Sequence, residues 1–203
     1  MSLYSRHVLP ALIQFAMSQD DVMKLRAAHV PSASGVVLEV GIGPGLNLPL
    51  YTSAVTKLYG IDPSAELLVV AKRRVPGVAF PVELVQRAIG EIPLEDASID
   101  TAVITWTLCS IEDPAAALRE VRRVVKPGGS LIFIEHGASP DAGVRSWQRR
   151  LTPVWKRLAG GCHLDRKIDE LVNDAGFTTA SLKSGYIPGP RFATYMYEGR
   201  ACR

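Results

Sequence analysis

A glycine-rich segment, 39–47, follows a short apolar run and has the composition of a ligand-binding turn. Its three glycines stand at alternate positions: Gly41, Gly43 and Gly45. Because glycine has no side chain, a ligand can approach the backbone of such a turn closely. Leu46 occupies the last position of a G-x-G-x-x-G dinucleotide fingerprint, and no Lys-Ser/Thr pair follows, so neither that site nor a P-loop is predicted. Glu39 supplies a carboxylate that can face a positively charged amino group; the alternative is a purely structural turn.

Asp62 ends the next apolar segment, 57–61. An ionised carboxylate at the end of a strand can accept hydrogen bonds from the two vicinal hydroxyls of a ribose. The alternative is that Asp62 and Pro63 only begin the helix that follows. In combination with the glycine-rich turn, the pattern favours ribose binding.

The elements that position these residues alternate between short apolar strands and amphipathic helices. Strands are predicted over 36–40, 57–61, 82–85, 99–105 and 130–135. Helices are predicted over 64–75 and 114–125, with Ser64 and Asp113 as their N-caps. This alternation predicts a parallel sheet with helices on both faces. Ligands bind such sheets at the carboxyl ends of the strands, where Glu39 and Asp62 lie.

The flanking segments complete this architecture. An N-terminal helix is predicted over 8–28, and residues 142–158 are predicted to form two helices that meet at Thr152 and Pro153. A further helix is predicted over 165–175, and closing strands over 177–183 and 192–197. No linker or internal repeat interrupts the chain, so residues 1–203 are interpreted as a single domain.

The run from Glu91 to Glu135, with its Lys-Pro-Gly-Gly turn at 126–129, completes a pattern that resembles the class I S-adenosylmethionine (SAM)-dependent methyltransferases, in the group of ubiquinone-biosynthesis enzymes. The resemblance implies a Rossmann-like α/β fold with a seven-stranded, mostly parallel sheet whose last strand is antiparallel. It also implies SAM as the cofactor. The residues implied around its methionine part are Glu39, Gly41, Gly43, Gly45 and Asn47. Asp62 is implied at the ribose, and Thr105 and Trp106 near the reacting methyl group.

One position departs from that family. After the third strand the family has an acidic residue that bonds the adenine amino group, whereas this chain has Ala88. The adenine is therefore expected to rest on backbone groups near Ala88 and Ile89.

A narrower resemblance extends over nearly the whole chain. Short segments are similar to the methyltransferase-like-seven group of thiol methyltransferases, and these are 4–6, 108–111, 133–136, Trp155 and 160–166. Bacterial lipid and quinone methyltransferases share part of this pattern. The resemblance implies methyl transfer to a small, fairly apolar acceptor, with a thiol as the leading choice. A phospholipid or quinone acceptor, or a SAM-binding module without catalysis, is the alternative. The N-terminal helical segment 1–30 and the helical segment 138–166 are expected to close over the cofactor and form the acceptor pocket.

Five residues are candidates for action on the acceptor, His136, His163, Tyr4, Asp165 and Arg166, and the first three of them are predicted to be catalytic. His136 follows the fifth predicted strand and so lies at the ligand edge of the sheet; the alternative is a histidine bonded to a loop carbonyl. Cys162 and His163 suggest a metal site, but the sequence shows no second group of ligands, so no metal is predicted. Cys109 is expected to be a small buried residue.

Composition limits the partners and the compartment. A net charge of +3 is too small to indicate nucleic acid, and no Asn/Asp-Pro-Pro-Tyr/Phe motif of base methyltransferases follows the fourth strand. Three distant cysteines and the absence of a signal sequence or apolar span favour the cytoplasm. Packing is expected for Trp147, Leu151, Trp155 and Leu158. The basic residues among them form a solvated face, or alternatively a surface for peripheral contact with anionic lipid. Nothing in the sequence indicates an oligomeric state.

Overall fold

A computed structural model describes residues 9–203, which form one α/β unit. Its strands are β1 (Gly35–Val40), β2 (Val55–Asp62), β3 (Val82–Gln86), β4 (Ile99–Thr105), β5 (Val125–His136), β6 (Thr178–Tyr186) and β7 (Tyr195–Cys202). Its helices are α1 (Leu9–Met17), α2 (Asp20–His29), α3 (Ala65–Lys72), α4 (Pro114–Val124), α5 (Ala142–Leu158) and α6 (Ile168–Asp174).

The seven strands form one sheet in the order β3-β2-β1-β4-β5-β7-β6. All neighbours from β3 to β5 are parallel, and β7 runs antiparallel to both β5 and β6. The predicted seven-stranded sheet with an antiparallel last strand is therefore confirmed. The chain winds outward from β1 in one direction and from β4 in the other, so the order reverses between these two strands. Ligands of open α/β sheets bind at such a point, beyond the carboxyl ends of the strands.

Two apolar clusters pack on opposite faces of the sheet. Alternate residues of a strand point to opposite faces, and Leu38 belongs to one cluster while Val37 belongs to the other. The first cluster includes Leu118 of α4 and Ile168 of α6. The second includes Leu68 of α3. Helices thus cover both faces, which leaves the strand ends as the accessible edge.

Both predicted helix caps are confirmed. Ser64 Oγ accepts a hydrogen bond from Leu67 N at 3.2 Å, and Asp113 Oδ1 accepts one from Ala116 N at 2.9 Å. The helix after Ser64 ends at Lys72 rather than at residue 75. A short 3-10 turn with Pro76 follows, and the residue before a proline disfavours the α conformation.

The predicted break at Thr152 and Pro153 is wrong, because α5 continues through both residues. Thr152 Oγ1 donates a hydrogen bond to Gln148 O at 2.8 Å instead of capping a second helix. A proline within a helix removes one backbone hydrogen bond, and Thr152 Oγ1 also accepts a hydrogen bond from Leu164 N, in the loop after α5, at 3.3 Å.

Other boundaries also differ from the predictions. The N-terminal segment forms two helices with a turn at Ser18, α6 begins at Ile168, and β5 begins at Val125 rather than at residue 130. The Lys-Pro-Gly-Gly turn lies within β5 as an irregularity, since Ile99 pairs with Val125 whereas Thr101 pairs with Ser130. Such bulges bend a strand without ending it.

The outward face of α5 is apolar and basic. Trp147 and Leu158, which were expected to pack, are 58% and 57% exposed, and Val154 is 59% exposed. The buried residues of α5 are Gln148 and Thr152, because their polar atoms bond the loops beneath the helix. Within residues 9–203, no helix has both the length and the apolar character needed to cross a membrane.

Candidate active site

The glycine-rich turn lies at the carboxyl end of β1 with a backbone that requires glycine. The backbone φ angles of Gly41, Gly43 and Gly45 are +71°, +54° and +77°. A Cβ on Gly41 would lie 2.2 Å from Thr107 Oγ1, so this glycine allows two loops to meet. A Cβ on Gly43 would have no atom nearer than Gly41 O at 3.9 Å. The space above Gly43 is therefore open to a ligand.

Asp62 joins the glycine-rich turn to the end of β2. Its Oδ2 accepts a hydrogen bond from Gly43 N at 2.9 Å, and its Oδ1 accepts one from Ser64 N at 2.8 Å. Burial raises the pKa of this carboxyl group. Because each carboxylate oxygen accepts more than one hydrogen bond, the helix-start role and the predicted ribose contact are compatible.

Glu39 is the centre of a buried hydrogen-bond network. Its two carboxylate oxygens accept hydrogen bonds from Asn47 Nδ2 at 2.8 Å and from Tyr51 Oη at 2.9 Å. Asn47 Nδ2 also donates to Thr105 Oγ1 at 3.1 Å. Burial raises the pKa of Glu39 to about 7. One cluster therefore contains three residues that were predicted from separate positions in the sequence: Glu39, Asn47 and Thr105. It also contains Tyr51, which the sequence did not indicate.

Arg26 of α2 is the main functional residue that the sequence analysis missed. Its Nη1 donates to Asn47 Oδ1 at 2.7 Å and to Thr105 Oγ1 at 2.8 Å, and its guanidinium lies 4.7 Å from the centre of the Trp106 ring. Arg26 is 5% exposed, and burial lowers its pKa to about 10. Among the described residues, its Nε has no hydrogen-bond partner. No motif surrounds Arg26 in the sequence, so only the packing of α2 over the sheet reveals it.

The donors and acceptors of this site fit SAM. The methionine part of SAM carries a carboxylate and an ammonium group, which match the unpartnered Arg26 Nε–H and the Glu39 carboxylate. Burying an N–H without a hydrogen-bond partner costs free energy, so a ligand carboxylate at this position would supply the missing acceptor. Asp62 stands within hydrogen-bond distance of the Gly43 backbone, beside the open space. The ribose, ammonium and methyl assignments of the individual residues stay predictions.

The predicted adenine segment follows β3. Arg87 N donates to Asp62 O at 3.2 Å, which brings this segment to the end of β2. Ala88 is exposed, whereas Ile89 is buried in the core cluster next to Ile92. The expected adenine contact with the backbone near Ala88 and Ile89 stays a prediction.

His136 ends β5 and contacts a cysteine rather than a loop carbonyl. His136 Nε2 lies 2.9 Å from Cys162 Sγ, and Trp155 Nε1 donates to the same sulfur at 3.3 Å. Hydrogen bonding from Cys109 and from Trp155 lowers the pKa of Cys162. Within residues 9–203, His136 Nδ1 has no hydrogen-bond partner. The structure thus places Cys109, His136 and Cys162 together, which their spacing in the sequence did not indicate.

Glu135 fixes the loop that carries Cys109. Its carboxylate accepts backbone hydrogen bonds from Thr107 N at 2.6 Å, Leu108 N at 2.8 Å and Cys109 N at 3.3 Å. Burial raises the pKa of Glu135. The loop after β4 is therefore held by the residue before His136, at the same edge of the sheet as Thr105 and Trp106.

The side chain of His163 is not part of this cluster. His163 N donates to Cys109 O at 2.7 Å, but its side chain lines a separate cavity of about 370 Å³ with Arg166 and residues of α6. Tyr4 lies outside the described residues. The role of His163 and Tyr4 in catalysis stays a prediction.

Comparison with known proteins identifies a methyltransferase domain in this chain. Residues 38–133 match a methyltransferase domain family. The chain is 36% identical over 151 residues to thiol S-methyltransferase TMT1B of Rattus norvegicus, covering 72% of this chain and 62% of that protein. It is 32% identical over 188 residues to phosphatidylethanolamine N-methyltransferase of Cereibacter sphaeroides, covering 92% and 91%.

The fold also resembles that of solved methyltransferase structures. A methyltransferase structure from Bacillus halodurans superimposes with a TM-score of 0.70 at 19% identity, covering 90% of this chain and 96% of that one. The chain spans less than two thirds of the thiol S-methyltransferases that it matches from rat and human, at 62% and 64% of their lengths. The domain match, the bacterial relative that is matched over 92% of this chain, and the fold together place this chain in the class I SAM-dependent methyltransferases, enzymes that take their methyl group from SAM.

Proposed function

We propose that this enzyme methylates the sulfur of a small, fairly apolar thiol. The observation that carries the proposal is that three of the described segments similar to thiol methyltransferases, 108–111, 133–136 and 160–166, lie against one another. Arg166 donates to Leu108 O, His163 N bonds Cys109 O, and His136 contacts Cys162. The similarity to thiol S-methyltransferase TMT1B supports the same acceptor class.

The chemistry is an in-line displacement. When bound, SAM supplies an electrophilic methyl group on a sulfonium sulfur. The acceptor thiol loses its proton, a thiolate lone pair forms the new S–C bond, and the old S–C bond leaves its electrons on the cofactor's sulfur. The thiol of cysteine has a pKa of about 8.5, so an acceptor thiol of similar acidity needs only modest help to ionise.

The role of this chain's residues is mainly positioning. Arg26 and Glu39 would hold the methionine end, and Asp62 the ribose, so that the methyl group has one orientation. Alignment of the two reacting groups contributes roughly 7–11 kcal/mol in well-oriented systems. The helices α1 and α2 and the segment 138–166 are the elements that we expect to complete the acceptor pocket.

A lipid acceptor is the second candidate, and two observations favour it. The bacterial relative that this chain matches over nearly its whole length is a phosphatidylethanolamine N-methyltransferase. The exposed apolar residues of α5 also lie beside basic ones, as expected of a helix that rests on anionic lipid.

Formation of S-adenosylhomocysteine tests these alternatives directly. We would supply a simple alkyl thiol, vesicles of phosphatidylethanolamine mixed with anionic phosphatidylglycerol, and a quinol in parallel, with a phosphine reductant because thiol reductants would themselves compete as acceptors. Turnover with the thiol alone is the expected result. Turnover with the vesicles alone supports the lipid candidate. SAM binding without turnover on any acceptor leaves a non-catalytic module.

The Asp62→Ala variant tests the predicted contact with the ribose of the cofactor. It should bind SAM about ten- to hundredfold more weakly, because charge-assisted hydrogen bonds are worth roughly 1.5–3 kcal/mol. Asp100→Ala is the matched variant, since Asp100 Oδ2 also accepts a backbone hydrogen bond, from Val36 N at 2.8 Å, at the other end of β1. Unchanged SAM affinity in Asp62→Ala contradicts the ribose assignment.

A further inference from the structure

Three buried side chains with metal-binding atoms meet at the ligand edge of the sheet. They come from the loop after β4, the last residue of β5 and the loop after α5: Cys109, His136 and Cys162. Their ligand atoms lie within 4.8 Å of one another. Cys109 is 1% exposed, and the other two are also buried. Such convergence from three elements distinguishes this group from a lone cysteine.

The three ligand atoms would reach the separations of a tetrahedral zinc site after a small adjustment. Zinc binds cysteine sulfur at about 2.3 Å and histidine nitrogen at about 2.0–2.1 Å. Two such ligands of one tetrahedral ion therefore lie about 3.6–3.8 Å apart. His136 Nε2 and Cys162 Sγ are 2.9 Å apart, so a small side-chain movement opens the space that an ion needs.

The outer contacts of the cluster are also those of a thiolate site. Trp155 Nε1 donates to Cys162 Sγ at 3.3 Å, and Ser110 Oγ lies 3.4 Å from Cys109 Sγ. Groups that bond the ligands orient them and tune the metal. Two thiolates balance the charge of a zinc ion, so its binding adds no net charge to a buried site. Soft sulfur ligands together with imidazole select zinc over magnesium or calcium.

We propose that Cys109, His136 and Cys162 bind a zinc ion whose fourth position takes the acceptor thiolate. Among the described residues, no fourth His, Cys, Asp or Glu joins the group, and three protein ligands with one open position are the pattern of catalytic zinc. The zinc site stands on its own geometry, whereas the identity of the fourth ligand rests on the proposed thiol acceptor.

This site would assign a different role to His136 from the one expected from sequence. As a metal ligand, His136 does not act as a general base. A thiol that coordinates zinc loses its proton to solvent and is held as a thiolate, and its remaining lone pair forms the S–C bond described above. No metal was predicted from the sequence, because no second group of ligands accompanies Cys162 and His163. Folding brings Cys109 and His136 to Cys162, and His163 is not a member of the group.

Elemental analysis of the reduced protein tests the zinc site. After saturation with zinc and removal of free metal, the protein should retain about one zinc ion per chain. Cys109→Ser and Cys162→Ser should lose it. Cys202→Ser is the matched control and should retain it, because Cys202 pairs with Ser130, whereas His136 pairs with Met196 at the other end of the β5–β7 ladder. Circular dichroism and SAM binding establish that each variant is folded.

Several results overturn the zinc site. They are absence of zinc in a folded, reduced wild-type protein, retention of zinc by the cluster variants, loss of zinc by Cys202→Ser as well, and one equivalent of a different metal. A Cys109–Cys162 disulfide whose reduction yields no zinc binding also overturns it.

Cobalt substitution tests the fourth position. Cobalt in the site should show sulfur-to-metal absorption, and an alkyl thiol should increase that absorption in the wild-type protein. If the protein binds zinc but the spectrum of its cobalt form does not respond to the thiol, the fourth-ligand assignment is overturned. Failure of the proposed function is separate, because it appears as zinc-loaded protein that coordinates the thiol but forms no S-adenosylhomocysteine.

Discussion

Arg26 is the residue whose environment in the structure most clearly requires a ligand. Its Nη1 is shared by Asn47 and Thr105, while its Nε has no partner among the described residues. The guanidinium also lies over the ring of Trp106, so its direction is fixed before any ligand arrives. A carboxylate placed against a pre-oriented guanidinium forms strong, charge-assisted hydrogen bonds.

The variant Arg26→Met tests this assignment. We expect it to bind SAM about ten- to hundredfold more weakly, because the hydrogen bonds lost with the charge are worth roughly 1.5–3 kcal/mol. Isothermal calorimetry measures the change. Lys24→Met is the matched control, since Lys24 lies on the same helix with its side chain 74% exposed. Equal affinities for the wild type and Arg26→Met would exclude a carboxylate contact.

Glu39 makes cofactor binding sensitive to pH. Burial raises its pKa to about 7, so part of the cofactor-free protein carries a neutral carboxyl group near neutrality. An ammonium group favours the ionised form, so SAM affinity should fall as the pH decreases from 7 to 5.5, by up to about tenfold per unit. Arg26, with a pKa of about 10, stays charged over this range.

Calorimetric titrations with SAM across that pH range measure the effect. Glu39→Gln should bind SAM more weakly at pH 7 and should remove most of the pH dependence. A slope that persists in Glu39→Gln would assign the titration to another group, such as Asp62 or Glu135, two buried carboxyls whose pKa values burial also raises.

At the scale of the element, the glycine-rich turn needs glycine at positions 41 and 43 for two different reasons. Gly41 faces Thr107 of the loop after β4, whereas Gly43 faces open space. Gly41→Ala should lower the free energy of unfolding by roughly 1–3 kcal/mol through the clash, with about 1–2 kcal/mol more for a left-handed backbone. Gly43→Ala should carry only the backbone cost but should weaken SAM binding, because its methyl group occupies the ligand's space.

Urea unfolding and SAM calorimetry on the same two variants separate these effects. Gly143→Ala is the control, since Gly143 lies within α5 and a Cβ there meets nothing within 4 Å. Alanine in a helix stabilises by up to about 1 kcal/mol relative to glycine. If Gly43→Ala binds SAM as the wild type does, the cofactor does not pass over this glycine.

The elements also show which features local sequence can indicate. The strand β4 was predicted with its observed bounds, and Ser64 and Asp113 cap the helices as expected, because these signals lie within a few residues. The predicted helix break at Thr152 and Pro153 was wrong, because hydrogen bonds of the Thr152 side chain to Gln148 and to the loop after α5 outweigh the tendency of proline to end a helix. Arg26 and the Cys109–His136–Cys162 group were not indicated, since they depend on contacts between distant elements.

At the scale of the whole molecule, one surface has the composition of a lipid-binding face. Trp147 and Val154 of α5 are 58% and 59% exposed. Four exposed basic residues of the same helix accompany them: Arg149, Arg150, Lys156 and Arg157. A helix with an apolar stripe and basic flanks rests in the headgroup region of anionic membranes, and its electrostatic attraction weakens with salt.

We therefore expect the protein to sediment with anionic phosphatidylglycerol vesicles and not with purely zwitterionic ones, and to be released as salt is increased. Trp147→Asp and Val154→Asp should each reduce the bound fraction, because a charge in the apolar stripe opposes insertion. Leu182→Asp on β6 is the matched control, since Leu182 is also exposed, at 42%, but lies on the edge strand of the sheet. If all three variants bind as the wild type does, α5 is not the membrane-facing element. If none of the four proteins binds, the predicted membrane contact is wrong, and a soluble thiol becomes the stronger candidate acceptor over a lipid.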